Sequence, residues 1–114
     1  VILWADAALN PWTGDGGVAV VREDGTVEFR LRIAGPLRNV TALEKEALRQ
    51  AIRVAESLVE DGQGLVQVRT DCRQALRGHG VKRRYGNRIR LSWASSDGNL
   101  AHSAAREAAG LHPV

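Results

Sequence analysis

The chain has 114 residues, 44% of them hydrophobic, a formal net charge of +3 and a single cysteine. That is enough apolar material for one packed domain, taken here as residues 1–114. Lone Cys72 excludes an intrachain disulfide framework, and the first apolar run, Val1 to Ala5, is too short for a signal peptide or a membrane span. Together these favour the cytoplasm and argue against a membrane partner. No initiator methionine precedes Val1, so a trimmed N-terminus is expected.

Val1–Ala5 reads as a buried strand ending at Asp6, followed by a turn-rich loop from Asn10 to Gly17. Val18–Arg22 is a second strand, with Glu23-Asp24-Gly25 as a hairpin turn. Thr26–Ile33 alternates as a third, placing Val27, Phe29, Leu31 and Ile33 on one face. After Gly35-Pro36 the spacing predicts a helix over 41–59, with Leu48, Ala51 and Ala55 in one apolar row and Glu46, Arg49, Arg53, Glu56 and Glu60 in the opposite, solvated row. Glu44 falls in phase with the apolar row, on the side that faces the core. Leu65–Thr70 is a fourth strand ending at Asp71. A short helix over 72–77 and a Gly-rich, basic loop over 78–87 follow. Arg88–Ala94 is a fifth strand with Ile89, Leu91 and Trp93 on one face, and Asn99–Ala109 a final helix with a small-residue stripe. Three strands on short turns form an antiparallel meander, and the long helix is a crossover to a parallel strand, which makes a mixed α/β sheet.

Charge is unevenly spread. Residues 1–68 carry 7 Lys/Arg against 10 Asp/Glu, whereas residues 69–90 carry 8 basic residues against Asp71 alone. A basic block within a near-neutral domain suits a polyanionic partner; the ordinary alternative is a solvated surface.

Four polar residues stand at the ends of the predicted elements: Asp6, Glu44, Asp71 and His102. Three are carboxylates, and hard divalent cations take oxygen ligands. An inward Glu44 needs a partner, because burying a carboxylate alone is costly. Each also has an ordinary reading: Asp6 and Asp71 as turn residues, Glu44 as one more helix acid, His102 as a helix-start residue packed beside Ala105 and Arg106. His79 and His112 read as surface residues, Cys72 as a small buried side chain, Trp4 and Trp93 as core. Trp12 either straps the sheet edge or stacks on a base or sugar. Gly16-Gly17 serve tight chain geometry, since no helix follows them to cradle a phosphate.

This order, with these residues, resembles the type 1 ribonuclease H family over nearly the whole chain. The motifs are Asp6 followed by Gly16-Gly17; Thr41-Ala-Leu-Glu44-Lys-Glu-Ala47-Leu48 with Ala51 and Ile52; Thr70-Asp71-Cys72; and Trp93 followed by Asn99-Leu-Ala-His102-Ser-Ala-Ala-Arg106. The resemblance implies a ribonuclease H-like fold, a five-stranded mixed sheet in the order 3-2-1-4-5 with helices on its faces. It also implies a two-metal site for Mg²⁺ or Mn²⁺ that hydrolyses the RNA strand of an RNA–DNA hybrid. Asp6, Glu44 and Asp71 would be catalytic ligands, and His102 would take the place of the fourth catalytic Asp. Some relatives with this fold, Argonaute proteins among them, use a His there. Imidazole suits softer transition ions better than Mg²⁺, so activity with Mn²⁺ should exceed that with Mg²⁺.

The chain departs from the family in its middle. Only 21 residues separate Asp71 from Trp93, where typical members place several helices and often a basic handle. Lys82-Arg83-Arg84 is expected to serve as a reduced grip on phosphates, with Thr41 and Arg73 as further nucleic-acid contacts at positions where the family has other residues. The alternative function is therefore a degenerate ribonuclease H-like domain that binds nucleic acid or a protein without cleaving. A resolvase or DNA-directed nuclease is a third possibility on the same fold.

Overall fold

The computed structural model describes residues 1–113. The strands are β1 (Ile2–Leu9), β2 (Gly16–Arg22), β3 (Val27–Ile33), β4 (Val66–Thr70) and β5 (Ile89–Trp93), and the helices α1 (Val40–Glu60), α2 (Val81–Tyr85) and α3 (His102–Ala108). They form one five-stranded sheet in the order β3-β2-β1-β4-β5. β1 pairs antiparallel with β2 and β2 with β3; β1 and β4, and β4 and β5, are parallel. This is the mixed sheet and strand order expected from the sequence.

Strand periodicity sorts β1 between two apolar layers. Leu3, Ala5 and Ala7 pack with Val18, Val20, Val66 and Val68 under the inner face of α1, formed by Leu43, Ala47, Leu48, Ala51, Ile52 and Ala55. Trp4, Ala19 and Val21 lie on the other face beneath Ala101, Ala104 and Ala105 of the α3 region. α1 starts where it does because the Asn39 side chain accepts from the Ala42 amide at 3.0 Å, meeting one of the unpaired donors of the first turn.

Several expectations need correcting. β1 does not stop before Asp6. Its antiparallel pairing with β2 continues to Leu9↔Gly16, while its parallel pairing with β4 ends at Trp4↔Arg69. Asp6 therefore lies within a strand, just past the point where β4 leaves it. Gly16 and Gly17 belong to β2 and not to the preceding loop. A Cβ at Gly17 would overlap the Ala105 carbonyl and the Ala109 amide, so glycine there lets α3 lie directly on the strand. On β3, Val27 and Leu31 are nearly half exposed, since this edge strand extends beyond the cover of α1.

The middle segment is more ordered than a loop. A 3₁₀ turn, Arg73–Leu76, replaces the short helix over 72–77, and the one-turn α2 forms inside the basic stretch, closed by Gly86, whose amide donates to the Lys82 carbonyl. α3 begins at His102 and not at Asn99, because residues 99–101 make the turn that precedes it. Trp93 is 43% exposed on the edge strand and is not core, whereas Trp4 is buried. Trp12 is 83% exposed and straps nothing; Asn10 Oδ1 holds that loop by accepting from the Trp12 and Thr13 amides. No helix among the described residues is long and apolar enough to cross a membrane.

Candidate metal centre

The site forms where β1 and β4 part. Beyond Trp4, the backbone groups of β1 that would have bonded to β4 are left without a strand partner. Two side chains take them. Glu44 Oε1 accepts from the Ala7 amide at 3.3 Å, and the Asn99 side-chain amide donates to the Ala5 carbonyl at 3.3 Å. The end of a parallel pairing thus recruits one residue from α1 and one from the turn before α3.

Asp71 is presented by a tight turn. Thr70 Oγ1 accepts from the Cys72 amide at 3.1 Å, bending the chain directly after β4. The Trp93 indole donates to the Asp71 carbonyl at 3.1 Å, and Asn99 donates to Asp71 Oδ2 at 3.2 Å. One oxygen from each of Asp6, Glu44 and Asp71 lies within 4.8 Å of the others. Glu44 is only 6% exposed and Asp6 only 3%. The inward phase read for Glu44 is therefore observed, and Glu46, two residues on, instead pairs with Arg49 and Gln50 outside.

Asp6 and Glu44, buried and this close to each other and to half-buried Asp71, cannot both ionise without a counter-charge. Burial first, and the Asp6 charge second, push Glu44 up to about 9. Asp6 is also raised, by burial first and then by Asp71, although its hydrogen bonds to Glu44, the Ala7 amide and His102 pull the other way. Without a cation, Glu44 therefore holds a proton at neutral pH. Its second oxygen, Oε2, is fully buried and has no hydrogen-bond partner. A buried acceptor left open is costly, and a divalent cation is the species that would use it together with the oxygens of Asp6 and Asp71. The donor set fits such an ion.

His102 joins this group through Asp6 alone. Its Nδ1 lies 3.2 Å from Asp6 Oδ2, and 59% of its side chain is exposed. Trp4 and Asp6 alternate onto the α3 face of β1, which is why a residue at the start of α3 reaches Asp6 while Glu44 comes over the sheet edge from α1. Asn99 was missed by sequence reasoning. It bonds to Ala5, to Asp71 and to the Ala101 amide, so it ties β1, the β4 turn and the approach to α3 together. The available signal was a polar residue three positions before His102, where an N-terminal turn needs an acceptor.

The residues proposed to grip nucleic acid are spread along the surface. Thr41 is half-buried at the start of α1. Arg73 stacks on the Trp93 ring, 4.1 Å from its centre, beside Asp71. Lys82, Arg83 and Arg84 lie exposed on α2, which packs against β5.

No protein-family model and no curated protein matches the chain. Solved structures do. An N-terminal RNase H domain from Mycobacterium tuberculosis is 17% identical, with a TM-score of 0.60 over 96% of this chain and 92% of that one. RNase H1 from the archaeon Halobacterium salinarum is 19% identical, with a TM-score of 0.54 over 95% and 96%. LC11-RNase H1, solved in complex with an RNA/DNA hybrid, is 17% identical, with a TM-score of 0.52 over 86% and 87%. The fold is that of ribonuclease H. On a ribonuclease H fold the parting of strands β1 and β4 is a carboxyl edge of the open sheet, the place where α/β sheets set their sites.

Proposed function

We propose that this protein is a divalent-metal-dependent endonuclease that hydrolyses the RNA strand of RNA–DNA hybrids. The observation that carries the proposal is the unpartnered, buried Oε2 of Glu44 beside the oxygens of Asp6 and Asp71. The LC11 neighbour with its RNA/DNA hybrid supplies the substrate class. Asp6, Glu44 and Asp71 hold the metal, and His102 stands as a fourth group against Asp6. Divalent ions held there supply an acidified water and neutralise charge developing on the phosphate oxygens.

The chain's own residues do the rest. Asp6, as the carboxylate shared between Glu44 and His102, fixes the centre of the site. Asn99 orients Asp71 through Oδ2 and leaves its other oxygen for a ligand. Glu44 gives up its proton when a cation occupies the site. His102, reaching in from the solvent side, is placed to hold an ion or to pass a proton to or from Asp6 Oδ2. Thr41, Arg73 and the Lys82–Arg84 run hold the substrate backbone. An imidazole in this set favours Mn²⁺ over Mg²⁺.

The second reading, binding without cleavage, is favoured by the reduced middle of the chain, a 3₁₀ turn and the one-turn α2 between Asp71 and β5. Labelled hybrid, double-stranded RNA, single strands and DNA, each incubated with Mn²⁺ or Mg²⁺, separate the two. Cleavage confined to hybrid supports the nuclease; binding with no cleavage in either metal supports the second reading.

A further inference from the structure

The outer face of α1 carries a row of cations at helical spacing: Lys45, Arg49 and Arg53, four residues apart. It faces Arg77, His79 and Arg84 from the segment after β4, and together they line a concavity of about 450 Å³. The wall opposite α1 is fastened in place. The Tyr85 hydroxyl donates to Glu56 Oε2 at 2.7 Å, His79 Nε2 meets the Ala75 carbonyl at 2.6 Å, and Arg84 donates to the His79 carbonyl at 3.1 Å. Among the described residues, Arg49 pairs with Glu46, but Lys45, Arg53, Arg77 and Arg84 are in no salt bridge. Glu56 is the one carboxylate lining the basin, and its Oε2 is engaged by Tyr85.

We propose that this basin binds the sugar–phosphate backbone of the nucleic acid, holding a stretch of strand away from the carboxylates. This rests on the nuclease reading above for its substrate. The cations suit a strand better than a compact anion. Lys45 to Arg53 spans about 12 Å at 1.5 Å per residue, the axial length over which a duplex strand presents three to four phosphates. Lys45 adjoins Glu44 in α1, so the row starts beside the metal centre and leads away from it. Interactions of this kind position a backbone without reading bases. The basin also gives α1 a second role: its inner face supplies a metal ligand and its outer face a phosphate track. Lys82 and Arg83 are not among its lining residues, whereas Arg84 is. The basin thus adds residues of α1 and Arg77 to the grip expected of the Lys82–Arg84 run.

The test is anisotropy binding of a short labelled RNA–DNA hybrid in EDTA, across about 50 to 200 mM salt. Wild type is compared with Arg53→Gln, Arg77→Gln and the double variant, with Arg30→Gln on β3 as control. Removing one cation that neutralises a phosphate should make the log K against log salt slope shallower by about 0.9, and the double variant should make it shallower by about 1.8. The control should leave the slope unchanged, and melting curves should show all variants folded. Wild type that cleaves hybrid in a parallel Mn²⁺ assay, while all three variants keep its affinity and slope in EDTA, overturns the basin alone. Variant-sensitive binding with no cleavage supports the basin and overturns the nuclease reading. Pyrophosphate binding that the double variant loses, with hybrid binding intact, assigns the basin to a small polyphosphate and overturns the proposal.

Discussion

Replacing Glu44 with Gln should make the metal-free protein more stable while removing its activity. Glu44 binds a proton more tightly folded than unfolded, with the carboxyl moving from 4.5 to about 9 through burial and the Asp6 charge. Its contribution is therefore whole below 4.5, falls as pH rises through the interval, and is exhausted above about 9. At pH 7.5 the protein has climbed about 3 units of that interval, which at 1.36 kcal/mol per unit sets a ceiling of about 4 kcal/mol. Part of this belongs to the Glu44–Asp6 pair, so about 2 kcal/mol is the working figure. Gln keeps the shape of the protonated acid, can still accept from the Ala7 amide, and carries no charge to expose on unfolding. Thermal melts in EDTA should show Glu44→Gln above wild type by roughly 8 °C at pH 7.5 and level with it near pH 4.5. Mn²⁺ should raise wild type and narrow the gap, because the ion replaces the proton. A variant no more stable than wild type at pH 7.5, or a gap that persists unchanged at pH 4.5, would refute this account of the site.

Other outcomes follow from the same geometry. His102→Asp should shift the ratio of hybrid cleavage in Mn²⁺ to that in Mg²⁺ toward Mg²⁺; an unchanged ratio in an active variant would remove His102 from the ligand set. Asn99→Ala removes three hydrogen bonds and leaves the Ala5 carbonyl and Asp71 without their donor, costing about 1–3 kcal/mol in denaturant unfolding and weakening Mn²⁺ binding by calorimetry. Gly17→Ala forces α3 off β2, with an expected loss of about 1–3 kcal/mol and reduced activity, since His102 rides on that helix.

The mixed sheet and the inward turn of Glu44 were legible from periodicity, whereas the strand order came from the resemblance to ribonuclease H. A 3.6-residue repeat separates Glu44 from Glu46 without any tertiary information, and the helix length forces a parallel crossover. Asp6, Asp71 and His102 were each recognisable beside an apolar run. What the sequence did not disclose depends on packing between distant segments. The extension of β1 past Asp6 is set by β2, which pairs further than β4 does. The exposure of Trp93 and Trp12 reflects their positions on an edge strand and a loop, which apolar character alone does not reveal. Asn99 acts through three partners that only the folded chain assembles. The basic basin was half visible as charge after residue 68, but its other wall is the solvated row of α1, which reads locally as an ordinary helix surface.

The most direct measurement is hydrolysis of a labelled RNA–DNA hybrid by wild type and by Asp71→Asn in Mn²⁺ and in Mg²⁺, with double-stranded DNA and RNA alongside. The account predicts cleavage of the RNA strand of the hybrid alone, faster in Mn²⁺, and abolished in Asp71→Asn although that variant remains folded. Undiminished cleavage by Asp71→Asn, or no cleavage by folded wild type in either metal, would contradict it.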